Sequence, residues 1–305
     1  MESKITPVVT VCIITYNHRE YIRDAVESVL AQQAGFEWDI IIADDCSTDG
    51  TTEIVKEYAA LYPGKIKLIL QNPNVGLNQN FIDLFTAPVS KYVAFLDGDD
   101  VWVNPNRLNI QVECMETHPD CALVYGKYNL MDEKGKIKPF KKRPPYKSGY
   151  IFEDIILCRF LPHMASALMR NDMIKKVYPE KKGIGVDFFL VASICKNNKA
   201  LYLDEIFFNY RINATSITNV QRQGVSETFL KIMGFFEAEY PALVKRGIKN
   251  GHQILLYHYA EKKPGLKSLS LLLKNFTFSG IYFKQLAKCM ISIVKAKLKP
   301  AKGSS

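Results

Sequence analysis

Three carboxylates fall within four positions at Asp97-Gly98-Asp99-Asp100, directly after the apolar run Tyr92-Val93-Ala94-Phe95-Leu96. Like charges held this close repel unless a cation sits among them, so the cluster calls for a metal ion, a nucleotide or both. A second acidic segment, Asp44-Asp45-Cys46-Ser47-Thr48-Asp49-Gly50, follows Ile40-Ile41-Ile42-Ala43, and Thr15-Tyr16-Asn17 follows the run Val8 to Ile14. Asp44, Asp45 and Asp49 are equally suited to capping a following helix, because Asp is favoured at that position. Asp100 could turn inward to bond backbone amides. His18 could face a ligand or only solvent, and Asp187 and His163 are isolated candidates further along.

These segments need a frame that brings them together. Val8 to Ile14, Ile40 to Ala43, Lys65 to Leu70 and Tyr92 to Leu96 read as buried strands. Between them Tyr21, Ile22, Ala25, Val26, Val29 and Leu30, then Ile54, Val55 and Tyr58, then Asn78 to Phe85 have the spacing of helices. Alternation of this kind predicts a mostly parallel α/β sheet, whose ligands bind at the carboxyl ends of strands. Further on, Ala122 to Tyr125 and Ala200 to Leu203 read as short strands, Lys134 to Lys147 as an exposed loop, and Phe188 to Ile194 as a helix. Beyond Gly224 the pattern is helical, broken at Pro264-Gly265.

The ordered set Thr15-Tyr16-Asn17, Asp44 to Gly50, Asn74-Val75-Gly76-Leu77 and Asp97-Gly98-Asp99-Asp100 resembles the inverting glycosyltransferases of family 2, over about Pro7 to Ser216. The resemblance implies a GT-A fold, with a Rossmann-type nucleotide-binding half over residues 1–125 and an acceptor half over 126–220. A basic helical extension would follow over 221–305. It further implies that Thr15, Tyr16, Asn17, Asn74, Gly76 and Gly98 line the nucleotide and that Asp45 reads the base. Asp97 would meet the ribose or first phosphate, and Asp99 would bind the divalent ion. Carboxylate and phosphate oxygens without His or Cys suit Mg²⁺ or Mn²⁺. The family's base would be Asp187, in Gly183-Ile184-Gly185-Val186-Asp187-Phe188, although many members carry Glu-Asp where this chain has Val186-Asp187. Arg211, in Tyr210-Arg211-Ile212-Asn213-Ala214-Thr215-Ser216, would reach the diphosphate. Asn213 stands where the family often has His. His163 is a candidate for the acceptor pocket. The implied reaction moves a sugar from a nucleoside diphosphate sugar, UDP-linked on this reading, to a hydroxyl of a glycan or lipid-linked saccharide.

Composition narrows the alternatives. The 305 residues are 48% hydrophobic and carry 40 Lys and Arg against 31 Asp and Glu, an ordinary globular balance with net charge +9. From Pro241 onward there are about 13 basic residues against Glu261 alone, so the excess lies in the tail. There, apolar residues from Leu269 to Val294 interleave with Lys274, Lys284, Lys288, Lys295, Lys297 and Lys299. Such a basic amphipathic tail suits an anionic membrane surface or a plain helical cap. It lacks the aromatic pattern of a nucleic-acid binder. Seven scattered cysteines without a Cys-x-x-Cys pair, no apolar leader and no membrane-span-length run point to the cytoplasm or the inner face of its membrane. A nucleotidyltransferase would be expected to show a phosphate-gripping loop between Val8 and Tyr21, which is missing, and no Gly-x-Gly-x-x-Gly marks a dehydrogenase. A non-catalytic sugar-nucleotide or glycan-binding protein is the alternative of a different class, and Asp97, Asp99 and Asp187 argue against it.

Overall fold

Apolar, β-branched runs with no polar face make strands that must be covered on both sides. In the computed structural model, which describes residues 6–138, 146–178, 184, 187–212 and 222–262, β1 (Val9–Thr15) and β2 (Trp38–Asp44) are buried at every position. β1 lies between β2 and β4 (Tyr92–Asp97), parallel to both, and β2 pairs in parallel with β3 (Ile66–Leu70). The connections are helical: α1 (Ile22–Leu30), α2 (Thr51–Leu61) and α3 (Gly76–Thr86). α1 buries Ile22, Ala25, Val26 and Val29, the stripe that helical periodicity places on one face. On α3, Phe81 stacks on Phe85 at 4.5 Å, and Phe85 meets Phe95 of β4 at 5.5 Å.

The chain runs from β1 outward through β2 to β3, then returns to the other side of β1 as β4. Connections that leave in opposite directions open a crevice at the carboxyl ends of the two central strands. Thr15 and Asp97 end those strands.

The sheet continues through β5 (Val101–Trp102), β6 (Cys121–Asp132), β7 (Ile137–Lys138), β8 (Leu168–Arg170) and β9 (Lys199–Ile212). Its order is β3-β2-β1-β4-β8-β6-β9-β5, with β7 paired to β6. β8 is antiparallel to both β4 and β6, while β6 and β9 run parallel. Helices α4 (Arg107–Thr117), α5 (Phe152–Ile156), α6 (Asn171–Val177) and α7 (Asp187–Cys195) and a 3₁₀ turn at Met164–Ser166 complete this half.

Two strands outrun their sequence-based expectation, reaching 12 residues in β6 and 14 in β9. Their continuations mix the buried Met131, Phe207 and Phe208 with half-buried and exposed positions, some of which form polar pairs across the strands. Asn129 Nδ2 donates to Asn209 Oδ1 at 3.1 Å, and Lys127 meets Asp204 at 2.8 Å. Apolar periodicity does not register such pairs. The expected loop from Lys134 is interrupted at once by β7, and residues 139–145 lie outside the described residues.

The chain divides into two compact units, Met1–Ile155 with Arg159–Val220, and Ile156–Cys158 with Gln221–Ser305. The second holds α8 (Arg222–Glu237) and α9 (Pro241–Lys262). Gly247 of α9 is there because a Cβ would come within 2.1 Å of the Ile156 carbonyl oxygen. Among the described residues no helix is long and apolar enough to cross a membrane. The expected break at Pro264-Gly265 and the basic tail lie outside the described residues.

Candidate functional site

The crevice is floored by small polar groups. Ile14 pairs with Asp97, and the Gly98 N–H extends the ladder by donating to the Ile14 carbonyl at 2.9 Å. A Cβ on Gly98 would lie 2.8 Å from Thr15 Oγ1 and 2.9 Å from His18 Nδ1, so this close approach admits only glycine. Thr15 Oγ1 and the half-buried His18 Nδ1 are themselves 3.3 Å apart.

Beside this floor the chain turns, with the Asp100 N–H donating to the Asp97 carbonyl at 3.0 Å. Asp97 and Asp99 are half-buried and Asp100 is fully buried. Asp100 Oδ1 accepts from the Arg211 N–H at 2.8 Å, while its buried Oδ2 has no partner among the described residues. Burial holds the Asp100 carboxyl well above the usual carboxylate range, and the charges of Asp97 and Asp99 push it further. Asp97 is raised by burial, then by Asp99 and by Asp187. That last contribution shows how the fold brings the start of α7 to the end of β4. Asp187 is the first residue of α7, and its Oδ1 accepts from the Phe188 N–H at 2.7 Å. Burial nevertheless raises its carboxyl above the usual range. Asp97 is half-buried and Asp187 exposed, yet protein surrounds both carboxyls closely enough to desolvate them.

Among the described residues no three His, Cys, Asp or Glu side chains are grouped to hold a metal by themselves. Asp97 and Asp99 offer hard oxygen donors in a cluster whose negative charge is poorly compensated. Such a set fits Mg²⁺ or Mn²⁺ with phosphate oxygens completing the coordination.

The acids after β2 have partners. Asp44 is fully buried and accepts from the hydroxyls of Ser47 and Thr52 and from the Ser47 N–H. Asp49 Oδ1 takes the Thr51 N–H at 3.0 Å and Oδ2 the Arg19 N–H at 3.0 Å, so it caps α2 and ties in the loop after β1. Burial works to raise the Asp49 carboxyl, but the bonds from Thr51 and Arg19 together hold it below the usual range. Asp45 Oδ1 accepts the Val75 N–H at 2.8 Å, and the Asp45 carbonyl accepts Asn74 Nδ2 at 2.6 Å. Asn74 Oδ1 in turn takes the N–H of Gly76, whose φ of +80° suits glycine. Asn17, at φ +55°, accepts the Thr48 N–H at 2.8 Å, and Tyr16 beside it is 48% exposed.

Two candidates lie in other surroundings than an open ligand surface. The Arg211 side chain is only 3% exposed, and its guanidinium is held by protein groups: Nε donates to the Asp99 carbonyl at 2.7 Å. The His163 ring packs among Tyr128, Phe208 and Tyr210, with centroids 5.0, 4.8 and 5.1 Å away. Burial lowers it to about 4, so it is neutral at pH 7, and its buried Nδ1 has no partner among the described residues.

Sequence reasoning missed Arg107. It is fully buried, donates from Nη1 to the Ala165 carbonyl at 2.7 Å and from Nη2 to that of Ala167 at 3.1 Å, and lies 3.9 Å over the Trp102 ring. It thus ties the strand after the acid turn to the segment after His163. The signal was its helical spacing with the buried Leu108, Gln111, Val112 and Met115.

Residues 10–177 match the family model described as Glycosyl transferase family 2. "Uncharacterized protein Rv1520" of Mycobacterium tuberculosis is 40% identical over 122 residues, 40% of this chain and 35% of that protein. The match therefore spans about a third of that relative's length. "Uncharacterized glycosyltransferase MJ1057" of Methanocaldococcus jannaschii is 31% identical over 213 residues, 68% of this chain and 71% of the relative. Among solved structures, S. aureus TarS 1–349 in complex with UDP-GlcNAc superposes with a TM-score of 0.62 at 16% identity, covering 94% of this chain and 81% of TarS. Mannosyltransferase PcManGT from Pyrobaculum calidifontis, in complex with GDP-Man and Mn²⁺, gives 0.57 at 15% identity over 96% and 89%. At these identities the likeness is one of fold.

Proposed function

The chain belongs to glycosyl transferase family 2, and on that premise we propose that it moves a sugar from a nucleoside diphosphate donor to an acceptor hydroxyl with inversion at the anomeric carbon. One observation carries this reading: Asp187, at the start of α7 and distant in sequence, comes near enough to the end of β4 for its charge, like that of Asp99, to bear on Asp97 at the switch point of the sheet.

In this reading Thr15, Tyr16, Asn17 and Gly98 border the nucleotide, and Asp97 receives the ribose or first phosphate. Asp45 reads the base, with Asn74 and Gly76 holding the loop against which its carboxylate is braced. Asp99 is the ligand of a divalent ion, Mg²⁺ or Mn²⁺, which when bound would neutralise charge on the departing diphosphate. Asp187 accepts the proton of the acceptor hydroxyl. The freed oxygen attacks the anomeric carbon from the face opposite the diphosphate, whose bond to the sugar breaks in the same displacement. Its raised affinity for a proton makes Asp187 a stronger base than a carboxylate of ordinary pKa. UDP-GlcNAc in TarS and GDP-Man with Mn²⁺ in PcManGT support a sugar-nucleotide donor for this fold, UDP-linked being the first choice. The basic tail supports a glycan or lipid-linked acceptor at an anionic membrane surface, with His163 on the acceptor side.

The test is turnover of a panel of UDP-, GDP- and dTDP-sugars with Mn²⁺ in the full chain and in Asp187→Asn. Donor hydrolysis or transfer by the full chain, lowered roughly 10²-fold or more by Asp187→Asn at unchanged donor affinity, is expected. Donor binding lost together with turnover would recast Asp187 as a structural cap of α7.

A further inference from the structure

Arg211 was expected to reach the diphosphate, yet its surroundings give it other work. Its backbone N–H donates to Asp100 Oδ1 at 2.8 Å, and its Nε donates to the carbonyl of Asp99 at 2.7 Å. Nη1 donates to the Glu133 carbonyl at 3.3 Å and Nη2 to Asp24 Oδ2 at 3.4 Å. The face of the guanidinium lies 4.4 Å from the Tyr21 ring centre. With 3% of the side chain exposed, the cation is enclosed by α1, the end of β6 and the acid turn. One residue thus grips both neighbours in the turn, Asp99 by its peptide and Asp100 by its carboxylate. The bond to Asp100 comes from the backbone, which any residue but proline would supply; the side chain's part is the fork of donors to Asp99, Glu133 and Asp24, which a lysine ammonium, a single point charge, does not reproduce. Placed behind the turn, the positive charge also opposes, in part, the rise of the Asp100 carboxyl.

We propose that Arg211 is a positioning residue that fixes the peptide of Asp99, so that the Asp99 carboxylate is presented to the divalent ion, and that it makes no contact with the donor. This rests on the reading of Asp99 as the metal ligand, and the experiment separates the two. Binding of UDP is titrated without metal and against increasing Mn²⁺ in wild type, Asp99→Ala, Arg211→Met, Arg211→Lys and Asp24→Ala. Thermal unfolding is followed in parallel.

A positioning role predicts that Arg211→Met leaves metal-free UDP affinity unchanged while raising the Mn²⁺ concentration at half-effect about tenfold or more, as loss of an outer-shell partner does. Arg211→Lys should recover only part of that shift. Asp24→Ala, which removes only the outer carboxylate at a 60% exposed position, should move the same midpoint by about twofold and decides the matter if the Arg211 variants do not fold. A drop in metal-free UDP affinity at an unchanged Mn²⁺ midpoint would make Arg211 a direct phosphate contact and overturn the proposal. So would an unchanged midpoint in every variant. If wild type itself gains no UDP affinity from Mn²⁺, the metal reading of Asp99 fails first and this proposal with it.

Discussion

Two acidic loops sit at the carboxyl ends of neighbouring parts of one sheet, and their carboxylates are treated in opposite ways. After β2, Asp44, Asp45 and Asp49 accept hydrogen bonds from Ser47, Thr52, Val75, Thr51 and Arg19. After β4, Asp97 is raised by burial and by Asp99 and Asp187, Asp100 is raised by burial and by Asp97 and Asp99, and Asp100 leaves a buried oxygen unpartnered among the described residues. The first loop is complete as it stands. The second gains most from an added cation, since hydrogen bonds favour a carboxylate's charged form while burial and like charge oppose it.

The comparison is broken most readily at Asp44. Asp44→Ala strips a fully buried carboxylate from two hydroxyls and an amide and is expected to cost about 2–4 kcal/mol of stability, measured by denaturant unfolding. A cost below about 1 kcal/mol, smaller than a single charged hydrogen bond is worth, would mean that the loop does not depend on it. Gly98→Ala forces a methyl between Thr15 and His18. It should cost about 1–3 kcal/mol by overpacking and weaken UDP binding; unchanged UDP affinity would move the nucleotide off this floor.

Asp49→Ala sharpens the comparison with pH. Its carboxyl is lowered in the folded state, so its contribution is full above the ordinary carboxylate pKa and is lost as pH falls through the lowered value. The variant should be about 1 kcal/mol less stable than wild type at pH 7, the worth of a helix cap, and the gap should close in acid. A gap that persists in strong acid would assign the effect to packing.

How far the sequence reveals this contrast differs between the two loops. β1, β2 and β4 are uninterrupted apolar runs, so the strands and the position of every acid at their ends were legible from pattern alone. The partners were not. Asp44 and Asp99 look alike in sequence, and only the placement of Ser47 and Thr52 against one and Arg211 behind the other separates them. The far halves of β6 and β9 were hidden because polar residues that pair across the strands, such as Asn129 with Asn209 and Lys127 with Asp204, break up the apolar run around Phe207 and Phe208. Arg107 was hidden because a charged residue on a buried helix face is rare enough to pass for surface.

If the acids after β4 hold a cation with the donor and those after β2 do not, Mn²⁺ should act on UDP binding through Asp99 and not through Asp49. Calorimetric titration of UDP with and without Mn²⁺ tests it in wild type, Asp99→Ala and Asp49→Ala. Mn²⁺ should strengthen UDP binding in wild type and in Asp49→Ala and have no effect in Asp99→Ala. Equal Mn²⁺ enhancement in all three proteins, or its loss in Asp49→Ala alone, would contradict the claim.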